Sequence, residues 1–356
     1  MRLYDPILYP FALLYDGITR LRNRLFDIGS KKGVVFEIPT IVVGNLSIGG
    51  TGKTPMIEFL IERLAGHYKL ATLSRGYGRK SSGVILAREG VTPLDIGDES
   101  FQIFTKYGHE LLVAVGEERI MAIPEIILER PETEVVLLDD AYQHRYLKSD
   151  FNILLTTFQN PFFDDKILPM GTLREHRKGA TRADAVIMTK CPKDLGEVRK
   201  NEMVSHIKKY TREQCPIFFA GLKYDEPHSV STSASSLVPK NIILVAGIAN
   251  IEVLLQYVSE KYNVLEVLDY PDHYRYTDKD MQRILKSFQS HNALSPVILT
   301  TEKDMVKLND RKFRDYLSKI PIFALPVKVD LPFGDEESLM EMVFGTIREK
   351  GYKSEL

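Results

Sequence analysis

The stretch that decides the fold is Ile41–Thr54, which reads IVVGNLSIGGTGKT. A short apolar run is followed by a glycine-rich turn, then by Gly-Lys-Thr and the helical pattern Pro55–Leu64. A strand, a glycine-rich loop and a helix in this order are typical of a loop that binds the phosphates of a nucleoside triphosphate. The first glycine of the usual pattern is replaced by Ser47, so we expect the loop to bend differently at that position.

This loop predicts a site for Mg·ATP. Small residues let backbone N–H groups approach phosphate oxygens, and the helix N-terminus adds a partial positive charge. Lys53 is expected to bridge the β- and γ-phosphates, which makes it a catalytic residue, and Thr54 is expected to bind Mg²⁺. The predicted nucleotide-binding residues are Ser47, Ile48, Gly49, Gly50, Thr51, Gly52, Lys53 and Thr54.

Short apolar runs alternate with longer amphipathic stretches along the whole chain. The predicted strands are Thr40–Val43, Lys69–Leu73, Glu110–Val115, Val135–Leu138, Phe151–Thr156, Ala185–Thr189, Ile217–Ala220, Ile242–Val245, Val264–Leu268, Val297–Thr300 and Ile322–Val327. This rhythm predicts an α/β fold. We expect a P-loop NTPase-like three-layer α/β/α domain with a mainly parallel sheet over residues 29–226, a serine-rich linker over 227–240, and a smaller α/β domain over 241–356.

Two adjacent acids follow one of the predicted strands. Val135–Leu138 is followed by Asp139 and Asp140. Buried carboxylates are costly without a partner, and Mg²⁺ prefers hard oxygen ligands close to the phosphates. We therefore predict that this pair binds the metal, with Asp139 as the main ligand and Asp140 beside it.

Composition narrows the class of protein. Lys and Arg total 47 against 48 Asp and Glu, so there is no bulk positive field, and a general nucleic-acid binder is not expected. Cys191 and Cys215 have neither metal-ligand spacing nor enough partners for a disulfide framework. No apolar run is long enough to span a bilayer, and no signal peptide is evident. We expect a protein that stays in the cytoplasm.

The N-terminal segment 1–28 carries apolar residues at near-helical spacing. They are Leu3, Ile7, Leu8, Phe11, Leu14, Ile18, Leu21 and Leu25, with Arg20, Arg22, Arg24, Lys31 and Lys32 towards the end. Such a stripe is compatible with a helix packed on the protein's own core and with a helix lying on an anionic membrane surface. By itself, the apolar stripe favours a helix that packs on the protein's own core.

Several further clusters resemble one family in order and spacing. They are Ser74–Arg79, Gly97–Ser100, Asp139–Arg145, Gly171–Glu175, Asp272-His273 and Thr301–Asp304. With the phosphate loop, they make nearly the whole chain similar to the tetraacyldisaccharide 4'-kinases.

The resemblance implies ATP-dependent phosphorylation of the 4'-hydroxyl of a tetraacylated glucosamine disaccharide 1-phosphate in lipid A biosynthesis. It places the protein at the cytoplasmic face of the inner membrane of a Gram-negative bacterium. The membrane interpretation of residues 1–28 then becomes the favoured one, because the acceptor resides in the bilayer. No obligate protein partner is evident.

The resemblance also implies roles for individual residues. A sugar hydroxyl benefits from a general base, and His273 is the candidate, paired with Asp98 from the other domain. We expect domain closure to bring the two together over bound ATP. Glu175 is expected to contribute to the metal or to the substrate, and the substrate-binding candidates are Gln143, His144, Arg174, Arg75 and Tyr77.

Two other functions are compatible with the loop alone. One is a phosphate-loop kinase of a soluble small molecule. The other is a GTPase-like nucleotide switch, because Thr189-Lys190-Cys191-Pro192 follows a predicted strand and partly matches a guanine-reading motif. The aspartate that such a motif needs is replaced by Pro192.

Overall fold

The computed structural model describes residues 5–229, 240–272 and 274–353. The candidate base His273 and most of the predicted linker, residues 230–239, lie outside the described residues. The described chain forms an eight-stranded sheet, a five-stranded sheet and a two-stranded sheet, with helices between the strands. The predicted α/β architecture with mainly parallel sheets is confirmed.

The first sheet has the strand order β3-β4-β2-β5-β1-β6-β7-β8, and only β3 is antiparallel to its neighbour. Its strands are β1 (Thr40–Asn45), β2 (Leu70–Ser74), β3 (Ile85–Leu86), β4 (Leu112–Val115), β5 (Val135–Asp139), β6 (Phe151–Thr157), β7 (Ala185–Thr189) and β8 (Ile217–Phe219). β1 and β5 are buried along their full length, as expected for strands covered by helices on both faces. β1 lies between β5 and β6, with Val43 opposite Asp139.

The second sheet has the order β10-β14-β13-β11-β12. Its strands are β10 (His228–Ser229), β11 (Asn241–Ala246), β12 (Asn263–Asp269), β13 (Val297–Thr301) and β14 (Ile322–Leu325). The predicted linker 227–240 therefore begins with a short strand, since β10 pairs antiparallel with β14.

The prediction of a single strand over Ile322–Val327 is wrong at its C-terminal end. Pro326 separates β14 from β15 (Val327–Asp330), which pairs antiparallel with β9 (Gly221–Tyr224) in the two-stranded sheet. Proline has no N–H group to donate to a strand ladder. The chain leaves the second sheet at this residue.

The helices lie between the strands and at both ends of the described chain. They are α1 (Asp5–Asp27), α2 (Lys53–Leu64), α3 (Pro93–Ile96), α4 (Asp98–Tyr107), α5 (Arg119–Glu129), α6 (Glu197–Lys208), α7 (Ile251–Lys261), α8 (Asp278–Ser290), α9 (Glu302–Leu308), α10 (Arg314–Leu317) and α11 (Phe333–Glu349). Three short 3-10 turns cover Arg177–Arg182, Asn292–Leu294 and Arg311–Phe313. Within the described ranges, no helix is both long enough and apolar enough to cross a bilayer.

The last helix, α11, packs on the hydrophobic core that α2 and the first sheet form, here called the first core. Leu339, Met340, Val343 and Ile347 are buried there with residues of α2 and β1, and Glu336 pairs with Arg63 of α2 at 2.6 Å. We expected residues 241–356 to form the second domain, but α11, which lies within this range, packs on the first core instead. An amphipathic pattern shows that a helix buries one face, but not which core that face covers.

A buried ionic cluster joins the two α/β units. The Nζ atom of Lys106 on α4 lies 2.6 Å from Oε2 of Glu58 on α2 and 3.1 Å from Oε2 of Glu302 on α9. The side chains of Glu58 and Glu302 are only 6% and 10% exposed. Burial raises the pKa of Glu58 although Lys106 opposes the shift. One ammonium thus holds two carboxylates that repel each other.

We predict that Lys106→Met lowers the stability of the protein by on the order of 3 kcal/mol, because it leaves two buried carboxylates without a cation. The midpoint of unfolding checks this, with Arg63→Met as the control, since its more exposed pair is worth about 0–1 kcal/mol. Adding Glu58→Gln and Glu302→Gln to Lys106→Met should restore part of the loss. Equal midpoints for Lys106→Met and Arg63→Met would contradict the prediction.

Candidate active site

The phosphate loop turns at two glycines. Gly49 and Gly52 have φ values of 112° and 87°, a left-handed region that side chains with a Cβ rarely adopt. Ser47 is not among the residues with positive φ. Its replacement of the first glycine therefore demands no unusual backbone, and α2 begins at Lys53 directly after the second turn.

Two strand ends hold the loop in place from its sides. Asn45 at the end of β1 donates from Nδ2 to Oγ1 of Thr51 at 2.8 Å. Thr189 at the end of β7 donates from Oγ1 to the carbonyl oxygen of Thr51, also at 2.8 Å. Neither residue was predicted for the site. The adjacency of Asn45 to the loop was the available signal, whereas Thr189 is distant in sequence.

A second segment runs antiparallel to the start of the loop. The N–H of Ile48 donates to the carbonyl of Thr172 at 2.8 Å, and the N–H of Arg174 donates to the carbonyl of Leu46 at 2.7 Å. These bonds bring Arg174, one of the substrate-binding candidates, to the phosphate loop.

The acidic pair, the loop lysine and Arg174 meet at the carboxyl end of β5. Oδ1 of Asp140 lies 2.8 Å from Nη1 of Arg174 and 3.8 Å from Nζ of Lys53. Asp140, the residue after β5, has a φ of 50°, in the left-handed region that is rare for residues other than glycine. Burial acts to raise the pKa of Asp140, but Lys53 and Arg174 outweigh it and the pKa lies below its usual value.

Asp139 has a different environment. It is 3% exposed, and burial, followed by repulsion from Glu99, raises its pKa to about 7 against the attraction of Lys53. Its Oδ1 atom is buried and accepts no hydrogen bond from any described residue. A buried carboxylate oxygen without a donor fits a metal ion or a metal-bound water as its partner.

Arg119 lies behind this carboxylate. It is 3% exposed and donates from Nη2 to the carbonyl oxygen of Asp139 at 3.4 Å and from Nη1 to that of Gly116 at 2.8 Å. Burial lowers its pKa to about 10 despite the attraction of Asp139 and Asp140. An arginine in a helix pattern gave no signal for this position in the sequence.

Glu175, expected to contribute to the metal or to the substrate, is held by protein donors on both of its carboxylate oxygens. Its Oε1 accepts hydrogen bonds from Gln143 at 3.0 Å and Arg182 at 2.7 Å, and its Oε2 from Asn23 at 2.6 Å and Arg182 at 3.1 Å. Both oxygens are therefore engaged by nitrogen donors. The carboxylate fastens α1 and the 3-10 turn Arg177–Arg182 to the site.

Gln143 and His144 lie on the turn after β5. Gln143 donates to the carbonyl of Asn45 at 2.8 Å and its own carbonyl accepts from Arg22 of α1 at 2.7 Å, so it joins α1 to the phosphate-loop strand. His144 is half-buried, and burial, together with Arg119, lowers its pKa. Its Nε2 atom has no hydrogen-bond partner among the described residues. This atom lies 3.9 Å from Oε2 of Glu118.

Arg75, Tyr77 and Asp98 come together through close backbone packing. A Cβ on Gly97 would lie only 2.7 Å from the carbonyl oxygen of Tyr77, so the start of α4 contacts the 76–78 turn directly. The Arg75 and Tyr77 side chains are exposed, and Arg75 acts electrostatically on Arg119 and His144. Asp98 is the first residue of α4 and is partly exposed.

The second domain reaches the same turn next to position 273. Arg275 donates from Nη2 to the carbonyl oxygen of Gly78 at 3.0 Å. Asp272 pairs with Lys303 of α9 at 2.7 Å. Because His273 lies between these two residues outside the described part, its pairing with Asp98 stays a prediction.

Among the described residues, no group of three or more His, Cys, Asp or Glu side chains is arranged to hold a metal ion. The side chains predicted to bind Mg²⁺ are Thr54, in the first turn of α2, and Asp139, the last residue of β5, followed by Asp140. Two or three protein oxygens suit an ion that completes its shell with phosphates and waters. The arrangement can bind a triphosphate and neutralise its terminal phosphate with Lys53 and Arg174.

Comparison with known proteins gives one consistent family. The model of the tetraacyldisaccharide-1-P 4'-kinase family matches residues 4–348. Relatives named tetraacyldisaccharide 4'-kinase include those of Flavobacterium johnsoniae, 43% identical over 90% of this chain and 93% of the relative, and Bacteroides thetaiotaomicron, 36% identical over 96% and 93%. A solved structure of LpxK from Aquifex aeolicus in complex with ATP is 29% identical, has a TM-score of 0.75, and covers 97% of this chain and 100% of its own. The chain described here therefore belongs to the tetraacyldisaccharide-1-P 4'-kinase family.

Proposed function

We propose that this protein transfers the γ-phosphoryl group of ATP to the 4'-hydroxyl of a tetraacylated glucosamine disaccharide 1-phosphate, the lipid A precursor. The observation that carries the proposal is the direct attachment of the amphipathic helix to the phosphate site. Arg22 bonds to Gln143, and the hydroxyl of Tyr15 donates to the carbonyl of Arg174 at 2.9 Å. A phosphate-transfer site is thereby fixed to an apolar surface, as a lipid acceptor requires.

The residues of the loop divide the work of phosphate transfer. Backbone N–H groups of Ser47–Thr54 and the start of α2 bind the triphosphate. Lys53 and Arg174 face the terminal phosphate and stabilise the negative charge of the transition state. Mg²⁺, when bound, neutralises the β- and γ-phosphates, and Thr54 and Asp139 are the residues that would hold it. Asp140 keeps Lys53 and Arg174 in position.

The acceptor hydroxyl is activated from the other side of the cleft. We assign this to His273 with Asp98, because the turn before α4 and the segment after position 273 both contact residues 76–78. A carboxylate next to an imidazole raises its basicity and orients it. Arg75, Tyr77 and His144 lie around the same turn and are the proposed contacts to the disaccharide.

The apolar side of α1 supports contact with the inner membrane. Ile7, Phe11, Leu14, Ile18 and Leu21 are 58–64% exposed, although a helix packed on its own core would bury them. A cavity of about 380 Å³ between α1 and residues 165–177 is lined by Ala12, Leu13, Met170 and Leu173 among others. An interfacial helix of this kind lets a peripheral enzyme reach an acyl-chain-anchored substrate.

Transfer of labelled phosphate from ATP to tetraacyldisaccharide 1-phosphate in detergent micelles tests the function. Formation of a labelled lipid by the wild-type chain, and not by His273→Ala, is expected. Absence of labelled lipid with the wild type would overturn the proposed reaction. Labelled lipid formed equally by wild type and His273→Ala would overturn only the assignment of the base.

We predict that replacing Phe11, Leu14 and Ile18 together by Ser weakens binding to phosphatidylethanolamine–phosphatidylglycerol vesicles by about two orders of magnitude or more, because each buried apolar side chain contributes about 1.5–3 kcal/mol. Vesicle cosedimentation measures this. Leu128→Ser on α5 is the control, since Leu128 is 80% exposed but lies away from α1 in the chain. Unchanged vesicle binding by the triple variant would contradict the membrane contact.

A further inference from the structure

The end of β7 closes the side of the phosphate loop that faces away from Asp139. In the first sheet β5 lies on one side of β1, whereas β6 and then β7 lie on the other. Asp139, Asp140 and Arg174 gather on the β5 side. A triphosphate whose terminal phosphate lies there must extend its other phosphates and its nucleoside towards β6 and β7.

Thr189 and Lys190 supply two different contacts at this end. The side chain of Thr189 donates to the carbonyl of Thr51 and lies 3.9 Å from where a Cβ on Gly52 would be. Lys190 follows with a φ of 57°, which turns the chain back over the loop. Its Nζ atom lies 3.9 Å from where a Cβ on Gly50 would be. An ammonium group therefore sits directly over a loop position that has no side chain.

Within the described ranges, this ammonium has no ion-pair partner. Lys190 is partly buried and forms no hydrogen bond or ion pair with any residue of the described ranges. The charged groups that face it from the second domain are Asp272 and Lys303, which pair with each other at 2.7 Å. Burial lowers the pKa of Lys190, Asp272 opposes this shift and Lys303 adds to it. Asp272 and Lys303 thus act on the ammonium with opposite signs.

We infer that Lys190 is a further nucleotide-binding residue, whose ammonium binds an α- or β-phosphate oxygen of the nucleotide beside Gly50. A partly buried cation without a counter-charge is costly, and a phosphate oxygen supplies both the charge and the acceptor. Because Gly50 has no Cβ, a phosphate oxygen can contact both the Gly50 backbone and the Lys190 ammonium. The inference rests on the proposed function only in taking a nucleoside di- or triphosphate as the ligand of the loop.

Equilibrium binding of fluorescent ADP and ATP analogues to the full chain with Mg²⁺, in the absence of lipid, tests this inference. Lys190→Met should weaken both nucleotides tenfold to a hundredfold, the range expected for the loss of a charged hydrogen bond. Lys190→Arg should retain most of the affinity. Lys193→Met is the matched control, because Lys193 is exposed three residues further along.

The salt dependence of binding separates a phosphate contact from mere support of the loop. Lys190→Met should bind with a shallower dependence on salt, because one cation fewer meets the phosphates. Thr189→Val removes the bond to Thr51 without removing a charge and should weaken binding at an unchanged dependence. An unfolding midpoint close to that of the wild type establishes that each variant is folded, and Lys190→Gln replaces Lys190→Met if it is not.

Three results would overturn the inference: unchanged ADP and ATP affinities in Lys190→Met, weaker ATP binding with unchanged ADP binding, or a salt dependence equal to that of the wild type. The second would place the ammonium on the γ-phosphate instead. A chain that binds ADP through Lys190 but forms no labelled lipid would refute the proposed acceptor and leave this inference intact.

Discussion

Lys53→Met is expected to lower the rate of phosphate transfer to the lipid by about 10²–10³-fold, the usual cost of removing one group that stabilises transition-state charge. Lys53 is the first residue of α2, its side chain is 11% exposed, and it faces Asp140 at 3.8 Å. Methionine keeps the length of the side chain but is uncharged, so it cannot stabilise the negative charge on the transferred phosphate. Initial rates with labelled ATP and micellar acceptor measure the loss.

Lys69→Met is the control for this change. Lys69 is exposed and precedes β2, at the amino end of the same parallel sheet and therefore at the edge opposite the site. The Lys69→Met enzyme should transfer phosphate at the rate of the wild type. A Lys53→Met enzyme that retains more than about a tenth of the rate would exclude Lys53 from the transition state.

Asp139→Asn is expected to cause a loss of similar size, about 10²–10³-fold in the transfer rate, and to raise the Mg²⁺ concentration that the remaining activity needs. Asn keeps the shape of the side chain and one oxygen ligand, but it removes the negative charge that the metal requires. Titration of the transfer rate with Mg²⁺ measures both effects.

The same substitution should not destabilise the protein at pH 8. Burial in the folded state raises the pKa of Asp139 to about 7, well above that of an ordinary aspartate. The ionised form therefore costs stability at pH 8, and a neutral amide avoids this cost. Asp164→Asn, at an exposed position, is the control for both measurements. A transfer rate or Mg²⁺ requirement that Asp139→Asn leaves unaltered would move the metal role to Asp140.

The phosphate loop and the acidic pair could be predicted from short stretches of sequence. The glycines at 49 and 52 mark turns that need positive φ, and an apolar strand ending in Asp139 marks a carboxyl edge. Each of these signals is complete within about ten residues. The structure also agrees with the expected positions of nearly all strands, since a period of two or a short apolar run is local as well.

The hydrogen-bond partners of Glu175 could not be predicted from its own segment. It bonds to Asn23, 152 positions away, and to Gln143, 32 positions away. Arg182, seven positions away, completes this set of donors. Thr189 and Lys190 stood out in the sequence only as part of a partial guanine-reading motif, and their positions beside the phosphate loop depend on the packing of β7.

The sequence by itself determined the α/β class, the phosphate loop with Lys53 and Thr54, and the acids at the end of β5, because each depends on backbone preferences and periodicity within one segment. The tertiary structure decided which side of α1 is exposed, that α11 covers the first core, and that Glu175 is held by nitrogen donors. Those outcomes depend on hydrogen bonds and packing between separate elements, several of them more than a hundred residues apart, as Tyr15 to Arg174 and Lys106 to Glu302 illustrate. No single segment carries such information, since it arises only when the segments are packed together.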